Sequence, residues 1–88
     1  MAIVTRKRTL RPSSRDAAST YKIDTKNVSA TDTLRIEIDH EDNPGELIAV
    51  FALPGQVVAT KSSIHFDAKQ NSNGWAFQWM GANPKRIK

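Results

Sequence analysis

The chain has 88 residues and a net charge of +4, and Leu, Ile, Val and Phe together make up 19 of its residues, close to the roughly 20% below which globular folding becomes doubtful. This length allows one small domain, and the absence of cysteine excludes disulfides, thiolate nucleophiles and thiolate zinc sites. The longest apolar run, Leu47–Leu53, is too short to cross a membrane, and no apolar stretch of a secretory signal follows the basic N-terminus.

The first 19 residues are expected to form a basic N-terminal arm. Residues 2–10 have strand propensity and would add an edge strand either to this domain or to a neighbouring copy. Pro12 and the serines near it predict a loop, in which Ser13 is a cap-like residue for one turn of helix at most. Residues 20–24 favour a strand whose apolar members are Tyr21 and Ile23.

The clearest strand signals lie in the middle of the chain. Residues 33–39 alternate apolar and charged side chains, which predicts a strand with Arg35, Glu37 and Asp39 facing solvent. Residues 39–46 are dense in turn formers and are expected to close a hairpin. The run 47–53 is apolar on both faces, which predicts a central strand covered from both sides.

The last part of the chain predicts two more strands. Pro54–Gly55 suits a type II turn, in which glycine would supply the positive φ. Residues 56–68 then predict one long strand with a bulge or bend at Ser62–Ser63. A turn at residues 71–74 leads to the last strand, residues 75–80.

Together these signals predict an all-β protein, a small antiparallel meander of five or six strands closing into a barrel or sandwich. The β-domain is expected at residues 20–82, between the arm at 1–19 and a short basic tail at 83–88. A core of this size should be only marginally stable by itself. Its predicted members are Leu34, Ile36, Ile38, Leu47, Ala49, Phe51, Leu53, Val58, Ile64, Phe66, Trp75, Phe77 and Trp79.

Charge is segregated along the chain. Residues 1–26 carry seven basic and two acidic residues, residues 27–60 one basic and six acidic, and residues 61–88 five basic and one acidic. The basic ends can neutralise phosphates and release counterions, or they can contact the acidic middle of another copy and fix the register of an oligomer. A third interpretation is that they only keep a small protein in solution.

Residue clusters that could carry chemistry have simpler interpretations. Glu37, Asp39 and Glu41 could hold a hard cation, but charges on a solvated strand face are the favoured interpretation. His40 and His65 are too few for a catalytic zinc site, and no serine stands in a nucleophile-elbow context. We therefore expect no catalytic residue, metal site, cofactor or small-molecule substrate, and we do not expect an enzyme.

An aromatic stripe is the most informative motif. Trp75, Phe77 and Trp79 share one strand face, and bases stack on such rings at roughly 1–3 kcal/mol each. A chain with so few aliphatic residues also needs large side chains in its core, and these three aromatic side chains together could bury on the order of 450–750 Å². Core packing is the favoured interpretation, with a base-stacking platform or a seam filled by another subunit as alternatives.

The first functional hypothesis is a small non-enzymatic nucleic-acid-binding β-protein. Its basic termini would bind phosphates largely without regard to sequence, because no reading helix, zinc finger or aromatic RNA-binding signature is present. DNA and RNA, single-stranded or duplex, remain open. The candidate nucleic-acid-binding residues are Arg6, Lys7, Arg8, Arg11, Arg15, Trp75, Trp79, Lys85, Arg86 and Lys88.

Two alternatives use the same charge pattern. A structural or assembly protein, such as a component of a virion or another multimeric shell, would form a homo-oligomer whose subunit contacts involve the arm. An inhibitor or adaptor would dock the acidic hairpin at residues 37–46 on a basic surface. No membrane partner is expected, and the expected location is the cytoplasm or a virion.

Overall fold

A computed structural model describes residues 2–11 and 18–88 of the chain. These ranges contain seven strands and one 3-10 turn, in the order β1 (Ile3–Leu10), β2 (Ala18–Asp24), β3 (Thr33–His40), β4 (Asn43–Pro54), the 3-10 turn (Gly55–Val57), β5 (Ser63–Asn71), β6 (Gly74–Met80) and β7 (Lys85–Arg86). The helical turn considered at Ser13 lies outside the described residues. In the described part of the chain, no helix has the length and hydropathy of a membrane span.

The strands form two sheets that pack face to face. Sheet A has the strand order β1-β3-β4-β7, and sheet B has the order β2-β5-β6. The all-β prediction is confirmed, and of the two expected architectures the structure is an open two-sheet sandwich and not a closed barrel. Residues 3–10 and 85–86, which fall in the expected arm and tail, form the two edge strands of sheet A.

Strand β1 runs parallel to β3, with Ile3 opposite Thr33 and Leu10 opposite His40. The prediction of a purely antiparallel meander is wrong at this point. The chain passes through β2 in the other sheet between β1 and β3, and this excursion is long enough for a parallel crossover. Alternation in a sequence shows which side chains share a face, but it does not give the direction of the neighbouring strand.

The predicted hairpin of β3 and β4 is present, but its turn is shorter than the expected 39–46, because β3 ends at His40 and β4 already begins at Asn43. Strand β4 contains the apolar run and lies between β3 and β7. Phe51 on its inner face and Val50 on its outer face are both buried. The prediction of a central strand is confirmed, and both faces are covered at its centre, whereas Ile48 and Ala52 on the outer face remain partly exposed.

The segment after β4 differs from the prediction. Gly55 starts a 3-10 turn, and the next strand begins only at Ser63, so residues 56–62 are not part of one long strand. The positive φ expected at Gly55 is also absent, because such values occur at Gly45, Gly74 and Gly81 among the described glycines. Glycine is needed here for space, since a Cβ would collide with the Ser29 carbonyl oxygen.

The core lies between the sheets with Phe66 at its centre. The Phe66 ring lies 5.5 Å from the Tyr21 ring and 4.7 Å from the Trp79 ring, measured between centroids. The core prediction is wrong for Leu47, which is half-buried, and Trp75, Phe77 and Trp79 pack at the core margin and remain partly exposed. The core residues that sequence reasoning missed are Leu10, Tyr21, Ile23, Val28 and Ala68.

Asp39 is less exposed than predicted, at only 8%. It keeps its regular place opposite Thr9 of β1, but extra residues on the β4 side of the pairing bring the Gly45 backbone into contact with its carboxylate. Its Oδ1 accepts a hydrogen bond from the Thr9 hydroxyl at 2.7 Å, and its Oδ2 accepts one from the Gly45 N–H at 3.0 Å. These two bonds and the charge of Lys7 lower the pKa of Asp39 from its ordinary value of 3.8, although desolvation opposes them.

This lowered pKa predicts a specific acid dependence of stability. A carboxylate whose pKa is lower in the folded state stabilises the fold above the unfolded pKa of about 3.9, and its contribution is lost as the pH falls through the folded value. We expect the free energy of unfolding in urea to decrease below about pH 4, and to decrease less steeply in Asp39→Asn. The control, Glu46→Gln, changes an exposed carboxylate and should keep the wild-type slope; an unchanged slope in Asp39→Asn would contradict the assignment.

Candidate nucleic-acid interface

The arginines of β1 face across the sandwich toward β2. Arg6 lies opposite Ile36 in the pairing with β3 and therefore shares the inner side of sheet A. Its Nε donates to the Asp24 carbonyl oxygen at 3.0 Å, and one terminal nitrogen donates to the Lys26 carbonyl oxygen at 2.9 Å. Arg6 thus connects the edge of sheet A to the end of β2 in sheet B.

Arg8 makes a second connection between the same two strands. Its guanidinium carbon lies 5.4 Å from the centroid of the Tyr21 ring, and the Tyr21 hydroxyl accepts a hydrogen bond from the Arg11 N–H at 3.0 Å. A guanidinium stacked on a ring keeps its N–H donors at its edge, so Arg8 can still donate to an anion.

Cations from both sheets therefore lie along one side of the sandwich. Strand β2 is an edge strand of sheet B and contacts β1. Lys26 at its end lies beside Arg6, Lys22 lies on the outward face of sheet B, and both lysines are exposed. We call this surface the basic side and define it by Arg6, Lys7, Arg8, Arg11, Lys22 and Lys26. At its end a depression of about 390 Å³ is lined by Lys7, Arg8, Thr9, Arg11 and Glu41.

The sequence-predicted interface residues are only partly brought together. Arg6, Lys7, Arg8 and Arg11 lie on the basic side, and Arg15 lies outside the described residues. Lys85, Arg86 and Lys88 belong to the opposite edge of sheet A, three strand spacings or roughly 14 Å away. Sequence reasoning missed Lys22 and Lys26 as interface residues. An exposed lysine on a strand or just after it is common, and these two gain significance only because β2 lies beside β1.

The aromatic stripe serves mainly as packing. The Trp79 ring lies 5.1 Å from Phe51 and 4.7 Å from Phe66 between centroids, and its buried Nε1 has no acceptor among the described residues. Trp75 lies 5.6 Å from the His40 ring. The guanidinium carbon of Arg86 lies 5.6 Å from the Phe77 centroid, and all three rings pack against the core while remaining partly exposed.

The acidic hairpin presents fewer free carboxylates than its sequence suggests. Glu37 accepts a hydrogen bond from Arg35 Nε at 3.0 Å, and Asp39 is buried. Glu41, Asp42 and Glu46 are exposed. No group of three potential ligands among the described His, Asp and Glu residues is arranged to hold a metal ion.

Comparisons with protein-family models, curated proteins and solved structures gave no match to this chain.

Proposed function

We propose that this protein is a non-enzymatic nucleic-acid-binding β-sandwich and that its basic side contacts the phosphate backbone. The supporting observation is that six cations lie along the adjoining strands β1 and β2 at the edges of the two sheets, with Arg6 and Arg8 on the inner side and Lys7 and Lys22 on the outer faces. Clustered cations of this kind release condensed counterions when they neutralise phosphates, and this release provides most of the affinity of sequence-independent binding.

The way in which Arg6 and Arg8 are held also supports the proposal. Arg6 and Arg8 are two residues apart on one strand, so their Cα atoms are separated by about 6.8 Å. Arg6 is held by backbone carbonyls and Arg8 by the Tyr21 ring. Both guanidinium groups are therefore ordered before any ligand binds, which reduces the entropy lost on binding.

The same geometry argues against sequence reading. In the described ranges the basic side is formed by the strands β1 and β2 and the residues that follow them, and Tyr21 is buried beneath Arg8. Specificity requires contacts to base edges, and the described residues of the basic side contain no helix that could read a major groove. We propose binding to the backbone of single-stranded or duplex nucleic acid without base preference.

A salt titration of binding tests this proposal. Fluorescence anisotropy with a labelled mixed-sequence oligonucleotide should give an affinity that falls steeply with salt. Changing Lys7, Arg11, Lys22 and Lys26 together to Gln should weaken binding at low salt by roughly tenfold or more, and should reduce the salt slope by about one for each contact removed. Arg6 and Arg8 stay unchanged because they connect the sheets.

The matched control removes the same amount of charge elsewhere. Changing Lys61, Lys69, Lys85 and Lys88 together to Gln gives an equal net charge while the basic side is intact, and this variant should bind nearly as the wild type does. Equal weakening in both variants would show that only net charge matters. Binding that is absent at low salt, or that does not depend on salt, would refute the proposal.

A further inference from the structure

Strand β6 is an edge strand with one hydrogen-bonding side free in the described structure. It pairs antiparallel with β5, from Gly74 opposite Asn71 to Met80 opposite His65, and it ends the order of sheet B. Such an edge offers a row of unpaired N–H and C=O groups to another strand.

The composition of β6 does not oppose such pairing. Its sequence, GWAFQWM, has no charged residue and no proline, which are the usual features that prevent an edge from pairing. The other edges of the described sheets do have charges: β1 contains Arg6, Lys7 and Arg8, β2 contains Lys22 and Asp24, and β7 is only Lys85–Arg86.

The side chains of β6 also lack a neighbour beyond the edge. Trp75, Phe77 and Trp79 point inward but remain partly exposed, although they pack on the core. Met80, on the outward face, is 41% exposed. Aromatic side chains left partly open along an uncharged edge are what another strand would cover.

We propose that β6 pairs antiparallel with β6 of a second copy of this chain, joining two copies of sheet B into one six-stranded sheet. A two-fold axis at Phe77 sets Trp75 opposite the partner's Trp79 on the inner face, and Ala76 opposite the partner's Gln78 on the outer face. No like charges face each other in this register. Pairing with a β1 or β2 edge would instead place uncompensated charges against apolar or neutral residues.

Charge substitutions at Ala76 and Gln78 test the register. Both residues are exposed on the outward face, so lysines there leave the core intact and face each other twice across the axis. Sedimentation equilibrium without nucleic acid should show a wild-type dimer at tens of micromolar. A76K/Q78K should be a monomer, with dimerisation weakened by roughly tenfold or more. A76E/Q78E should also be a monomer.

Mixing the two variants provides the decisive measurement. The lysine and glutamate variants should form a heterodimer with each other, which also shows that both are folded. The control A18K/T5K adds lysines to the edges of β2 and β1 and should dimerise as the wild type does. A monomeric wild type, a dimeric A76K/Q78K, a monomeric control, or a mixture that stays monomeric would overturn the proposal. Each of these readouts is independent of nucleic-acid binding.

Discussion

Phe66→Ala is expected to lower the free energy of unfolding by about 3–5 kcal/mol. Phe66 is fully buried, and its ring contacts rings from both edges of its sheet, Tyr21 on β2 and Trp79 on β6. Truncation removes these contacts and leaves a cavity between the sheets. In a domain of this size, the loss is a large part of the roughly 5–15 kcal/mol that separates folded from unfolded protein.

Urea or thermal unfolding followed by circular dichroism measures this effect. Val57→Ala is the control, because Val57 is exposed and its truncation should change stability by no more than about 0.5 kcal/mol. If Phe66→Ala were as stable as the control, the Phe66 ring would not be the centre of the core.

Gly55→Ala is expected to destabilise the fold by about 3 kcal/mol, the upper part of the range for overpacking. The added Cβ would collide with the Ser29 carbonyl oxygen and lie 2.7 Å from that of Asp32. Neither oxygen can move freely, since Ser29 O accepts the Asp32 N–H at 3.0 Å and Asp32 O accepts the Gly55 N–H at 2.7 Å. The whole loop must therefore shift to admit one methyl group.

Gly45→Ala is the comparison that isolates this cause. Gly45 has a φ of 86° but no atom within 4 Å of an added Cβ, so its substitution should cost only the backbone strain of about 1–2 kcal/mol. We expect Gly55→Ala to be the less stable of the two by chemical denaturation. The reverse order would mean that the contact with the loop at Ser29 is not fixed.

Local patterns in the sequence predicted the strands but not their arrangement. The alternation at Leu34, Ile36 and Ile38 and the apolar run of β4 marked buried strands correctly, because burial of one or both faces leaves a direct trace in the order of side chains. The parallel pairing of β1 leaves no such trace. The direction of β1 depends on which strands become neighbours after the chain has crossed between the sheets, and this is determined by the packing of the whole core.

The candidate interface shows the same division. The sequence shows that β1 contains basic residues, but it does not show which of them face inward. Arg6 and Arg8 share the inner side of sheet A because of the register of β1 with β3. The burial of Asp39 was missed for a related reason, since it lies on the predicted face opposite Thr9 but is covered there by Thr9 and by the Gly45 backbone. A glycine beside a proline suggested a turn at Gly55, while the loop that excludes a side chain there lies more than twenty residues earlier.

Strand β1 performs two tasks at once, because its backbone completes sheet A while its side chains supply half of the basic side. It is held by β3 alone within its sheet, so a transient detachment of β1 disperses the cation cluster and uncovers β3 in the same event. A bound polyanion selects molecules in which β1 is attached, and by mass action it suppresses that detachment. The ligand would thus protect the N-terminal strand from local unfolding and proteolysis.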